Sequence, residues 1–156
     1  MLLLLFLPFD VAANDSVEAL EARLDASTSR PDRLAILSKL VSTLWDEDPG
    51  RARDFAIRAF ELVSPENPRA KARYARLIGV THHLQSDLAQ ALSMYERSVA
   101  LCGDDEPACL GTGYRHMALI YMSRGDYLSA WDLFGRAEQA CRDSTDRACT
   151  DQSLRA

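Results

Sequence analysis

The feature that most constrains this chain is a spacing. In the stretch Gly125–Ala137, the residues Tyr127, Ala130, Phe134 and Ala137 follow one another at intervals of three, four and three. That is the repeat of one face of an α-helix. Upstream, Tyr114, Met117, Ala118 and Tyr121 draw a second stripe of the same kind. Between the stripes lies Arg124-Gly125-Asp126, a turn signal. The pattern predicts two antiparallel helices joined at that turn. The small residues Ala130 and Ala137 let a neighbouring helix come close. The large ones, Tyr127 and Phe134, are expected to fill the space around it.

The rest of the chain copies this unit at a period of 39 residues. One period back, Gly79, Ala91 and Ser98 take the places of Ala118, Ala130 and Ala137. Tyr95 replaces Phe134, Ile78 and Leu88 stay in register, and Ser86-Asp87 replaces Gly125-Asp126. Two periods back, Leu40, Ala52, Ala56 and Ala59 occupy those places, with Asp48-Pro49 at the turn. This first copy is the most degenerate, since Leu40 is not small and Ala56 is not large.

With Gly111 as position one, Ala118, Ala130 and Ala137 fall at positions eight, twenty and twenty-seven, and Met117, Tyr121, Tyr127 and Phe134 fall on the large sites around them. The chain therefore resembles the tetratricopeptide repeat (TPR) family. The family's usual repeat is about 34 residues, so each junction here is longer by about five. The resemblance implies an all-α, right-handed α-solenoid of three helical hairpins with an N-terminal capping helix. The expected units are residues 33–71, 72–110 and 111–149, with turns near Asp48, Ser86 and Gly125.

The N-terminal segment divides further. Residues 1–13 run from an almost purely apolar stretch to Val11-Ala12-Ala13, the form of an export signal cleaved after Ala13. The stretch is too short to span a bilayer, and no Lys or Arg precedes it, so either the true start lies upstream or the segment is a buried N-terminal helix. Residues 14–30 read as a capping helix and loop. Asp15 is the expected N-cap with Glu18 three residues on, and Val17, Leu20, Ala22 and Leu24 form the apolar side. Residues 150–156 read as the start of a truncated fourth unit.

The four cysteines all lie in the last two junctions. Cys102 and Cys141 are one period apart, each in the last turn of a second helix. Cys109 and Cys149 follow at seven and eight residues, just before the next hairpin. Such a tight junction brings its ends within disulfide reach, roughly 4.4–6.8 Å between Cα atoms. The spacing predicts Cys102–Cys109 and Cys141–Cys149, the alternative being four small buried hydrophobes in a reduced protein. Export would place them in an oxidising compartment.

Chemistry is not expected. His82-His83 has no Cys or carboxylate at helical spacing toward the same face to complete a metal site, so packing is expected of it, and His116 stands alone. Gly111-Thr112-Gly113 lacks the preceding strand and the lysine of a phosphate loop. Glu18-Glu21-Asp25 and Asp104-Asp105-Glu106 read as solvated charge. A net charge of −5 argues against nucleic acid, which attracts basic surfaces. Neither catalysis, nor a cofactor, nor a metal, nor membrane insertion beyond the signal is expected.

What remains is the groove that the resemblance assigns to the first helices. Carried over, it holds Leu34, Leu37, Val41, Leu44 and Trp45 in the first unit. Arg73, Arg76, Val80, His83 and Leu84 follow in the second, and Thr112, Arg115, Leu119, Met122 and Ser123 in the third. Packing of Leu34 and Leu37 against the N-terminal helix is the alternative for those two. The partner-binding residues expected to matter are Trp45, Arg73, Arg76, Val80, His83, Arg115, Leu119 and Met122. The asparagines with which some TPRs clamp chaperone tails are absent: their sites hold Ser38 and Val41, Leu77 and Val80, His116 and Leu119. The implied function is a non-catalytic module, periplasmic or secreted, binding a peptide segment of a partner protein. The runner-up is the extracytoplasmic sensory segment of a bacterial membrane signalling protein, which Trp45-Asp-Glu-Asp-Pro49 and the long repeats also resemble.

Overall fold

The computed structural model describes residues 16–103, 106–144 and 149. The export segment 1–13 and the fourth-unit start 150–156 lie outside the described residues. Those residues contain seven α-helices and no strand: α1 (Val17–Ala26), α2 (Arg30–Leu44), α3 (Pro49–Leu62), α4 (Pro68–Leu84), α5 (Leu88–Cys102), α6 (Pro107–Ser123) and α7 (Tyr127–Arg142). Each helix packs on its neighbours in sequence, and α4 also meets α6.

The periodic capping chemistry sets where the helices begin. Asp48, Asp87 and Asp126 are the N-caps of α3, α5 and α7, and each side chain accepts a hydrogen bond from the backbone N–H three residues on. A side-chain oxygen there satisfies one of the unpaired donors of the first turn. Asn67 does the same for α4 and Ser29 for α2. For α1 the cap is Ser16, which accepts from the Ala19 N–H at 3.2 Å; Asp15, the expected cap, lies outside the described residues. Pro49, Pro68 and Pro107 open α3, α4 and α6, where a missing N–H costs nothing.

The hairpins are α2–α3, α4–α5 and α6–α7, broken at 45–48, 85–87 and 124–126. In α4–α5 the antiparallel pairing is tied at one end by Ser98, whose hydroxyl donates to the Ala72 carbonyl at 2.8 Å. At the other end Gly79 lies against the Tyr95 ring: a Cβ on Gly79 would stand 2.5 Å from Tyr95 Cε1. The first helix of each unit starts three or four residues before the expected boundary of 33, 72 or 111.

Ten residues of α1 are too few to hold a helix alone in water. Leu20 and Leu24, 2% and 1% exposed, anchor it in a core with Leu37, Leu40, Val41 and Leu44. Burying two leucines contributes about 3–6 kcal/mol. The Arg33 guanidinium donates to the carbonyls of Leu24 and Ser27, clasping the end of α1. Ala22, expected on the apolar side, is exposed instead.

Both cysteine pairs are bonded. Cys102–Cys109 has a Cα separation of 5.6 Å and Cys141–Cys149 one of 5.3 Å. Gly111 makes room for the second: a Cβ there would meet Cys141 Sγ at 2.6 Å and Cys149 Sγ at 3.2 Å.

One expectation fails on α7. Tyr127 is 70% exposed, as are Leu128 and Trp131 at 87% and 82%. The helical stripe identifies a face, but among the described residues no helix covers its first turn. Leu133 is buried on α7 in its place.

Candidate binding groove

The expected groove residues separate into two groups. In the first hairpin Leu37, Val41 and Leu44 are core residues at 1%, 2% and 4% exposure, and Leu34 packs on that core from its edge. They do not line an open groove, because α1 lies on α2. Tyr74 reaches across from α4, its hydroxyl hydrogen-bonded with Ser38 Oγ at 2.6 Å and donating to the Leu34 carbonyl at 3.4 Å. Trp45, the C-cap of α2, remains on the surface.

In the second and third hairpins the polar candidates converge. Arg73 is exposed on α4, with its guanidinium over the Tyr74 ring. Arg76, one turn further, is part-buried. It makes no hydrogen bond or ion pair with any described residue. Burial lowers its pKa below the ordinary arginine value, and the positive charges of Arg73 on α4 and Arg115 on α6 lower it further. Burial also depresses Arg115. Like charges so close, with water partly excluded, repel more strongly than on an open surface. Val80 packs on the small core of Ala91, Tyr95 and Ile120. His83 and Leu119 are part-buried, while Met122 and Leu84 are exposed.

Beneath the arginines lie two residues the sequence did not single out for the groove. Tyr95 is fully buried, and its hydroxyl has no hydrogen-bond partner among the described residues. Burial raises its pKa, partly offset by Arg76. His116 does not stand alone: its ring stacks on Tyr95 with centroids 5.0 Å apart. Burial, then Arg76, Arg115 and His83, push its pKa down to about 3. It is a neutral packing residue at physiological pH. Hydrophobic periodicity marks Tyr95 as core but carries no information about a partner on another helix.

Two clefts flank Thr112. One, of about 380 Å³ between α4 and α6, is lined by Arg69, Arg73 and Arg76. The other, of about 270 Å³ between α6 and α7, is bounded by Arg115, Trp131, Phe134 and Glu138. The remaining histidine, His82, places Nδ1 3.3 Å from Asp87 Oδ2, out of line for a hydrogen bond. Among the described residues no group of His, Cys, Asp and Glu is placed to hold a metal ion. No helix there is long and apolar enough to cross a membrane.

Compared with protein-family models and with curated proteins, the chain matches none.

Proposed function

We propose that this chain is a TPR-like α-solenoid that binds an extended segment of a partner protein along α4 and α6, the first helices of its second and third hairpins. The segment is acidic, or mixed acidic and apolar. The observation that carries the reading is Arg76: a part-buried guanidinium that lines the cleft beside Arg73, with no hydrogen bond or ion pair among the described residues. Holding Arg73 and Arg76 together in a folded protein costs free energy that a bound carboxylate offsets, and the guanidinium fork matches carboxylate geometry. Val80, Leu119 and Met122 supply apolar surface further along the same helices. The two disulfides support a periplasmic or secreted location, since such bonds persist in oxidising compartments.

An array of peptides that vary in acidic, neutral and basic character tests the reading. The wild type should retain acidic–apolar peptides and release neutral isosteres. An Arg73→Ala/Arg76→Ala double variant should lose that selectivity. Equal retention by the two proteins rules the arginines out as the anchor.

A further inference from the structure

The cleft between α4 and the start of α6 gathers arginine charge that the described residues offset only in part. Arg69, Arg73 and Arg76 line it from α4. Arg69 is already paired, at 3.4 Å from Glu106. Arg73 and Arg76 have no carboxylate partner among the described residues. The opposite wall is the first turn of α6, where the N-cap Glu106 makes no side-chain cap bond. The N–H groups of Cys109 and Leu110 are taken by the Glu106 carbonyl. Residue 107 is proline, and the Ala108 N–H has no acceptor among the described residues. Two guanidinium groups from one helix and one N–H from another therefore border a single volume.

A carboxylate is planar and brings one charge, so it leaves one arginine uncompensated. A tetrahedral dianion offsets both charges and accepts from both walls at once. We propose that this cleft is a site for a tetrahedral oxyanion, phosphate or sulfate, free or as a monoester, held by Arg73, Arg76 and the Ala108 N–H. The proposal rests on the groove reading in that the same arginines act as anchor; it adds that the group they take carries two charges.

The test is an NMR titration of the full chain at pH 7.5 and constant ionic strength, with sodium chloride exchanged for each probe. The probes are inorganic phosphate, sulfate, O-phosphoserine and a tetraglutamate peptide. Phosphate and sulfate should shift the Ala108 and Thr112 amides and the Arg76 Nε–H, and the shifts should saturate. Arg76→Gln should weaken binding about tenfold or more, the value of a charge-assisted hydrogen bond; Arg73→Gln serves if that variant does not fold. Glu106→Gln, which releases Arg69, should tighten binding, a gain that no loss of structure produces. Tighter binding of O-phosphoserine than of phosphate supports an ester as the ligand, and equal binding supports the free ion. Shifts that fail to saturate, or that survive both arginine substitutions, overturn the site. Tetraglutamate bound while phosphate and sulfate are not overturns the dianion and leaves the groove reading standing. Saturating phosphate with no acidic peptide retained does the reverse.

Discussion

Ser86 and Gly125 stand one period apart and share one backbone conformation, with φ at 62° and 78°. Each ends the first helix of its hairpin in the same way. The Asp87 N–H reaches the His82 carbonyl, and the Asp126 N–H reaches the Tyr121 carbonyl. Glycine adopts this left-handed region freely, whereas in serine the Cβ crowds the carbonyl oxygen that follows it. Ser86→Gly should therefore be neutral or stabilising, by up to about 1 kcal/mol. Gly125→Ser should cost a similar amount. Urea unfolding followed by far-UV circular dichroism measures both, and a loss of stability in Ser86→Gly would count against the shared turn.

Gly79 faces the opposite constraint. A Cβ there would stand 2.5 Å from Tyr95 Cε1 and 3.2 Å from the Ala91 carbonyl oxygen. Tyr95 is completely enclosed and cannot swing aside. Gly79→Ala should destabilise by roughly 1–3 kcal/mol, although alanine is the better helix former. Gly79→Leu should cost more. An unchanged melting temperature for both would mean that α4 and α5 do not pack in this register.

The Tyr95 hydroxyl is buried without a partner among the described residues. Removing it relieves a desolvated polar group. Tyr95→Phe should leave stability unchanged or raise it by about 1 kcal/mol, and a clear loss would reveal a bond to the hydroxyl in solution.

His116 should make the protein acid-sensitive. Its pKa in the folded state is near 3, below the ordinary value of about 6.5. Between those values the unfolded chain binds the extra proton, so stability falls as pH drops from about 6.5 towards 3 and is level above that window. The slope from one such group is at most about 1.4 kcal/mol per pH unit. His116→Phe, which keeps a ring against Tyr95, should flatten this part of the curve. The same slope in the variant would assign the effect to other groups.

Each disulfide closes a loop of seven or eight residues, worth about 2.5 kcal/mol in the chain-entropy account. Cys102→Ser/Cys109→Ser and Cys141→Ser/Cys149→Ser should each lower stability by that order. Non-reducing peptide mapping should recover Cys102–Cys109 and Cys141–Cys149; a Cys102–Cys141 link would overturn both.

Much of the helical framework is visible in local chemistry. Asp48, Asp87 and Asp126 mark helix starts because a cap acts within one turn, and the cysteine pairs join residues that a short junction must bring together. Where pattern reading stops is at burial by another element. Tyr127 and Phe134 share one stripe, yet Tyr127 faces water. Leu37 and Val41 look like groove residues until α1 lies on them. Asp15 and Ser16 are adjacent residues of equal capping ability, so local chemistry does not choose between them. The stack of His116 on Tyr95 depends on how α5 meets α6, which no single helix encodes.

Trp45 and Trp131, the two tryptophans of the chain, are 40% and 82% exposed. The Trp131 indole already meets solvent in the native state, so unfolding changes its surroundings little and its emission reports folding poorly, whereas Trp45, more than half covered, gains exposure on unfolding. The exposure of Trp131 suits it to another use. Trp131 borders the cleft that also holds Arg115, and a ligand that settles there will cover a wet indole and alter its emission. Trp131 is a fluorescent reporter of occupancy rather than of folding, and Trp45→Phe isolates its signal.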